Sequence, residues 1–259
     1  MTGNGEPIGK PRTEIAAHRG GAGLWPENSM TAFENTTRLD VDLVEFDVHP
    51  TRDGRLVVHH DPLLDRMTDG AGPLNEKTFA ELSELTIKGT DDGRIPLLSE
   101  VIEVFRPTPI ALRIEIKADA NLRPYPGLEA AVAAEIDPLG MMERTVITSF
   151  FIDTLVRFRA VARPQNMIWL VKKLVFAQIG GMGTVLKIAK IKEIEEIALH
   201  QSVVGPEEAQ AARAAGVRLG AFAVNDEAAI RRMLDLGVTV FTSDRPDIAI
   251  GMRDHIQGR

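Results

Sequence analysis

Two pairs of side chains carry the strongest chemical signal in this chain: Glu45 with Asp47, and Glu115 with Lys117, each at i and i+2 of an apolar run. Residues two apart in a strand point to the same face, so each pair projects together. Three carboxylates crowded at the ends of buried strands would repel one another unless something compensates. One hard divalent cation, Mg²⁺ or Ca²⁺, is the simplest compensation, because it takes oxygen ligands and leaves positions for substrate and water. With Cys at 0, zinc fits less well. The competing reading is a Lys/Glu ion-pair network that merely closes the sheet. It explains any one acid, but three beside two histidines less well.

His18 and His60 are the candidate general acid and base, since imidazole titrates near neutral pH. His49 and His59 read as structural, and strand alternation puts His59 on the opposite side from His60. Arg19, followed by Gly20 and Gly21, offers a guanidinium and close backbone approach, a cradle for a phosphate or oxyanion.

The elements that must position these groups are clearest in the C-terminal third. Pro206, Glu207 and Glu208 open a helix that Gly216 closes; Asn225 or Asp226 caps the next, which Gly237 ends. Strands are expected at Val217–Val224 and Val238–Thr242. Upstream, apolar runs fall at Glu14–His18, Leu43–Val48, Ile110–Lys117, Thr145–Ser149, Met167–Val171 and Ile197–His200. Eight strands alternating with helices in 259 residues predict an α/β fold, a closed TIM (β/α)8 barrel. A doubly wound sheet is the alternative, but no Gly-rich dinucleotide loop follows the first strand. Barrel active sites lie at the C-terminal strand ends. Those ends carry His18-Arg19, Glu45, Asp47, Glu115, Lys117, Ser149, Lys172, His200, Phe222 and Asp244.

Leu56–His60 follows the second strand with no helix between, and Asp53-Gly54 signals a hairpin. A turn centred on that dipeptide would set His60 opposite Asp47. Residues 61–100 are rich in turn formers, with one helix expected at Glu76–Leu85, and form a small insertion or cap over one barrel end. Residues 1–13 are expected to be a flexible tail and residues 14–259 a single domain.

The net charge of -7 provides no basic face for nucleic acid. The N-terminus has no apolar signal-peptide core, and the most apolar stretch, Leu174 to Val185, is broken by Gln178, Gly180, Gly181 and Gly183. A cytoplasmic enzyme acting on a small molecule is therefore expected. The Leu174–Val185 stretch reads as an ordinary amphipathic barrel helix in preference to a membrane contact. Oligomeric state stays open.

Beyond these readings, the ordered motifs resemble a known family. Ala17-His18-Arg19-Gly20-Gly21, Pro26-Glu27-Asn28, Val44-Glu45-Phe46-Asp47-Val48, His59-His60-Asp61-Pro62, Leu64-Asp65-Arg66, Ile114-Glu115-Ile116-Lys117 and Ser243-Asp244-Arg245-Pro246 are similar to the glycerophosphodiester phosphodiesterase family. The resemblance implies a TIM barrel of the phospholipase-C-like phosphodiesterase type. It implies hydrolysis of phosphodiesters to sn-glycerol 3-phosphate and an alcohol with a divalent cation. By motif, Glu45, Asp47 and Glu115 would be metal ligands, His18 and His60 the catalytic pair, and Arg19 and Lys117 phosphate contacts. Phe222 stands where the family often has Trp, an apolar wall of altered shape for the substrate. Ser29 replaces a common Thr.

Other readings are a lysophospholipase D-like phosphodiesterase working at a membrane surface, an enolase-like Mg²⁺ barrel, and a non-catalytic binding barrel. The enolase-like chemistry has no need of the His18-Arg19-Gly20 turn, and a mere binding barrel has no need of both histidines with all three acids.

Overall fold

The computed structural model describes residues 12–91 and 93–258. The tail expected over residues 1–13 therefore lies outside the described residues except for Arg12 and Thr13. Thr13 is buried, and its N–H donates to Gln257.

Among the described residues nine strands form one sheet: β1 (Glu14–His18), β2 (Leu43–Pro50), β3 (Leu56–Val58), β4 (Ala111–Ile116), β5 (Thr145–Ser149), β6 (Asn166–Val171), β7 (Glu196–His200), β8 (Arg218–Phe222) and β9 (Val240–Ser243). All except β3 pair in parallel, and β1 bonds to both β2 and β9, which closes an eight-strand barrel. The helices are α1 (Met30–Thr36), α2 (Phe79–Ser83), α3 (Leu98–Phe105), α4 (Leu128–Ile136), α5 (Ile152–Val161), α6 (Lys173–Gln178), α7 (Met182–Ile191), α8 (Pro206–Ala215), α9 (Glu227–Leu236) and α10 (Pro246–Gln257). The punctuation residues act as their chemistry requires: Asp226 accepts from the Ala229 N–H to cap α9, and Gly216 and Gly237 end α8 and α9 in the left-handed conformation.

Strand alternation sorts the side chains into two cores. Val44, Phe46 and Val48 of β2 face the helices, where Phe33 of α1 meets Phe46 edge-on at 5.7 Å and Phe105 of α3 at 6.1 Å. Leu43 on the other face joins Ala16, Val146, Ile168, Leu170, Ala198 and Val240 inside the barrel. The inner layer is narrow at Gly220, where an added Cβ would stand 2.9 Å from the Val240 carbonyl oxygen. Small residues on this side let the barrel close, so the polar residues one layer above converge on a single mouth.

The hairpin forms with a register one residue from that expected. Thr51 donates to the Arg55 carbonyl across a three-residue loop, and Gly54 holds φ at 78°. A three-residue loop with a left-handed third residue replaces the two-residue turn. Val48 thus pairs with Val58, and the His59 N–H, in place of His60, bonds to the Asp47 carbonyl. His60 still reaches the barrel mouth, because the chain leaves the ladder after Val58.

Beyond the hairpin, Leu64, Leu74, Leu82, Ile87, Ile95 and Leu97 pack with Val57 as a separate small cluster. The helix in this segment is shorter than Glu76–Leu85, because a Thr78/Glu81 capping box starts it at Phe79. The apolar stretch after β6 is two helices: Gly180 and Gly181, both at positive φ, divide α6 from α7, and only α7 buries side chains, Val185 and Ala189. Among the described residues no helix is long and apolar enough to cross a membrane.

Candidate active site

Glu45, Asp47 and Glu115 rise from adjacent strands β2 and β4, where Asp47 pairs with Glu115 in register. All three are buried, and one oxygen from each lies within 4.8 Å of the others. Lys117 ties two of them, with Nζ at 2.8 Å from Glu115 and 3.2 Å from Asp47. Asn28 donates its side-chain amide to Asp47 at 2.9 Å, and the Arg19 N–H donates to Glu45 at 3.1 Å.

Burial and the neighbouring Asp47 carboxylate push the Glu45 pKa up to about 7. Asp47 goes the other way: burial opposes its charge, but Lys117, His60 and Arg19 hold it well below the usual carboxylate range. Lys117 Nζ reaches Asp47 and Glu115, but among the described residues no cationic side chain pairs as closely with Glu45, so the carboxylate that resists ionisation marks where the donor set is short of positive charge. An oxygen-binding divalent cation fits that deficit.

The two histidines flank the triad with the same geometry. His18 Nδ1 lies 2.5 Å from Asp244 Oδ1, and its Nε2 is 3.9 Å from Glu45. His60 Nδ1 lies 2.6 Å from Asp61 Oδ1. A carboxylate at Nδ1 fixes the ring and leaves Nε2 free for proton transfer. Burial lowers the pKa of both, but at His18 the Glu45 and Asp244 charges outweigh it and the net shift is upward. At His60 burial, with Lys117 and Arg19 beside it, leaves the net shift downward.

Arg66 links the two sides. Its Nε donates to Asp61 at 2.5 Å, and its two terminal nitrogens grip Glu27 at 2.6 and 3.0 Å. Glu27 in turn accepts from Arg19 at 3.0 Å. Arg19, Asn28 and Ala223 hold positive φ angles of 50°, 54° and 61°, backbone strain concentrated at the mouth. The Asn28 N–H to Arg19 C=O bond helps hold this turn.

A cavity of about 200 Å³ opens over the triad, bounded by His18, His60, Arg113, Phe150 and Phe222. Phe222 stacks edge-on against Phe150 and His200 at 5.7 and 5.5 Å. His49 and His59 are buried away from the cavity. His49 donates Nε2–H to the His60 carbonyl, accepts from the Tyr125 hydroxyl at Nδ1, and is pushed down to about pKa 3 by burial.

Of the site residues expected from sequence, His18, His60, Glu45, Glu115, Arg19 and Phe222 line this cavity, while Asp47 and Lys117 lie beside it through their contacts with Glu45 and Glu115. Sequence reading gave no role to Asp61, Arg66, Glu27, Asn28 or Asp244, although motifs contained them. It also passed over Arg113, a fully buried guanidinium at the cavity floor whose Nε and Nη1 have no hydrogen bond among the described residues. The signal was present: Arg113 is two residues before Glu115 and so on the same strand face.

Comparison with known proteins identifies the family. Residues 18–248 match the model of the glycerophosphoryl diester phosphodiesterase family. A glycerophosphodiester phosphodiesterase of Bacillus altitudinis is 32% identical over 95% of this chain and 100% of its own length. A solved structure from Agrobacterium tumefaciens, provisionally given the same activity, superposes with a TM-score of 0.91 at 34% identity over 94% of this chain and 98% of that one. A phosphodiesterase of Oleispira antarctica, solved with its product sn-glycerol-3-phosphate, has a TM-score of 0.76 at 26% identity over 92% and 96% of the two chains. The chain therefore belongs to the glycerophosphoryl diester phosphodiesterase family of phosphoric diester hydrolases.

Proposed function

We propose that this chain hydrolyses glycerophosphodiesters to sn-glycerol 3-phosphate and an alcohol, with one divalent cation, Mg²⁺ or Ca²⁺, held by Glu45, Asp47 and Glu115. The observation that carries this reading is the convergence of three buried carboxylates within 4.8 Å beside two histidines, each braced by a carboxylate at Nδ1. When bound, the cation supplies charge neutralisation at the phosphoryl oxygens.

The chain's own residues do the rest. Arg19 and Lys117 place positive charge where the equatorial oxygens gain negative charge during attack on phosphorus. One histidine accepts the proton of the nucleophile, water or the glycerol 2-hydroxyl, at Nε2, while the other gives a proton to the departing alkoxide; on the 2-hydroxyl route water then opens the cyclic phosphate. Such transfers contribute about 10²–10⁴-fold in rate. Asp244 and Asp61 keep the rings oriented, and Phe222 with Phe150 gives the glycerol carbons an apolar wall.

The test is release of sn-glycerol 3-phosphate from glycerophosphodiesters of several alcohols, before and after chelation. Release that stops with chelator and returns with Mg²⁺ or Ca²⁺ is the expected result. Release unaffected by chelation would remove the cation from the reading.

A further inference from the structure

Beside the catalytic cavity lies a more open groove of about 290 Å³, and the two share His60, Glu115 and Phe150. A phosphodiester has two alcohol arms. With phosphorus over the carboxylate triad, one arm enters the inner cavity against Phe222 and the other must lie in the outer groove. Pro62, Leu122, Phe150 and Phe151 form its apolar walls.

Three charged groups line this groove apart from His60 and Glu115. Lys117 pairs with Glu115 and Asp47 and, in the reading above, faces the phosphoryl oxygens and not the alcohol. Asp119 accepts the backbone N–H groups of Asn121 and Arg123 at 2.9 and 2.8 Å, so its Oδ1 is turned into its own loop. Lys172, exposed at the C-terminal end of β6, has its Nζ 4.7 Å from the Phe150 ring centroid and forms no ion pair among the described residues.

A cationic alcohol such as choline or ethanolamine is recognised by an open aromatic face or an uncommitted carboxylate. Here the Phe150 face is already covered by an ammonium, and one oxygen of the nearby Asp119 carboxylate is held by the backbone of its own loop. We propose that the outer groove holds the leaving alcohol and that Lys172 makes it select uncharged polyols over cationic alcohols. This rests on the phosphodiesterase reading above and adds the substrate class.

The test compares kcat/KM for glycerophosphoglycerol and glycerophosphocholine in the wild type, Lys172→Ala and Lys172→Glu, followed by sn-glycerol 3-phosphate release. Circular dichroism and cation titration check that both variants fold. The wild type should prefer glycerophosphoglycerol. The preference should fall by about tenfold in Lys172→Glu, the size expected for reversing one partly screened charge, and by less in Lys172→Ala. A wild-type preference for glycerophosphocholine, or a ratio unmoved in folded Lys172→Glu, would overturn the inference while leaving the phosphodiesterase reading intact. No release from either diester by the wild type would overturn that reading and the inference with it.

Discussion

His18 and Asp244 are 226 residues apart in the chain and 2.5 Å apart in the fold, Nδ1 to Oδ1. Barrel closure makes this contact, because β1 and β9 pair only when the sheet meets itself. Asn225 fixes the same carboxylate, donating its amide to Oδ2 at 2.5 Å and accepting the Asp244 N–H at 2.9 Å. Asp244→Asn would present an amide N–H to His18 Nδ1 and favour the tautomer whose Nε2 carries the proton. We expect kcat to fall by about 10²–10⁴-fold, with cation affinity unchanged by calorimetry. Unaltered kcat would show that the contact is structural.

Removal of one ligand carboxylate should act on the cation first. Glu45→Gln and Glu115→Gln are each expected to weaken Mg²⁺ or Ca²⁺ binding by more than about 100-fold, since even groups behind the ligands are worth 10–100-fold. Isothermal titration measures this independently of turnover. Wild-type affinity in either variant would remove that residue from the site.

Arg66 braces His60 through Asp61 and Arg19 through Glu27. Arg66→Ala should therefore lower kcat by about tenfold and disturb both histidine and phosphate contacts without touching the cation ligands. Lys in its place lacks the planar fork that spans both carboxylates, so rescue should be partial. Full rescue by Arg66→Lys would reduce the role to bare charge.

His59 makes stability depend on pH. Burial pushes its pKa down to about 4 from 6.5, and its Nε2 has no hydrogen-bond partner among the described residues. Below pH 6.5 the unfolded chain takes up a proton that the folded chain refuses, so stability is lost as pH falls toward 4. Relative to His59→Gln, the wild type should lose about 2 kcal/mol more between pH 7 and pH 5, read from urea denaturation with chelator present. Identical losses would mean that His59 protonates freely in the native state.

Much of this was legible in the sequence, for identifiable reasons. Strand periodicity fixes which face Glu45, Asp47, Glu115 and Lys117 share, and proline, glycine and aspartate mark helix ends through local backbone chemistry at Pro206, Gly216, Asp226 and Gly237. The hairpin register differs by one residue from that expected because Asp53-Gly54 suits both two- and three-residue loops. Only the Thr51–Arg55 bond decides between them. The bracing groups were hidden for a different reason: Asp244, Arg66 and Glu27 act through long-range contacts, and no local pattern reports a partner 39 or 226 residues away.

Catalysis by the histidine pair is measured by cation-dependent release of sn-glycerol 3-phosphate from the wild type, His18→Ala and His60→Ala, each checked for fold and cation binding. The wild type should release product, and neither folded, cation-binding variant should release any above background. Release at the wild-type rate from His18→Ala or His60→Ala, or none from the wild type, would contradict catalysis by the pair.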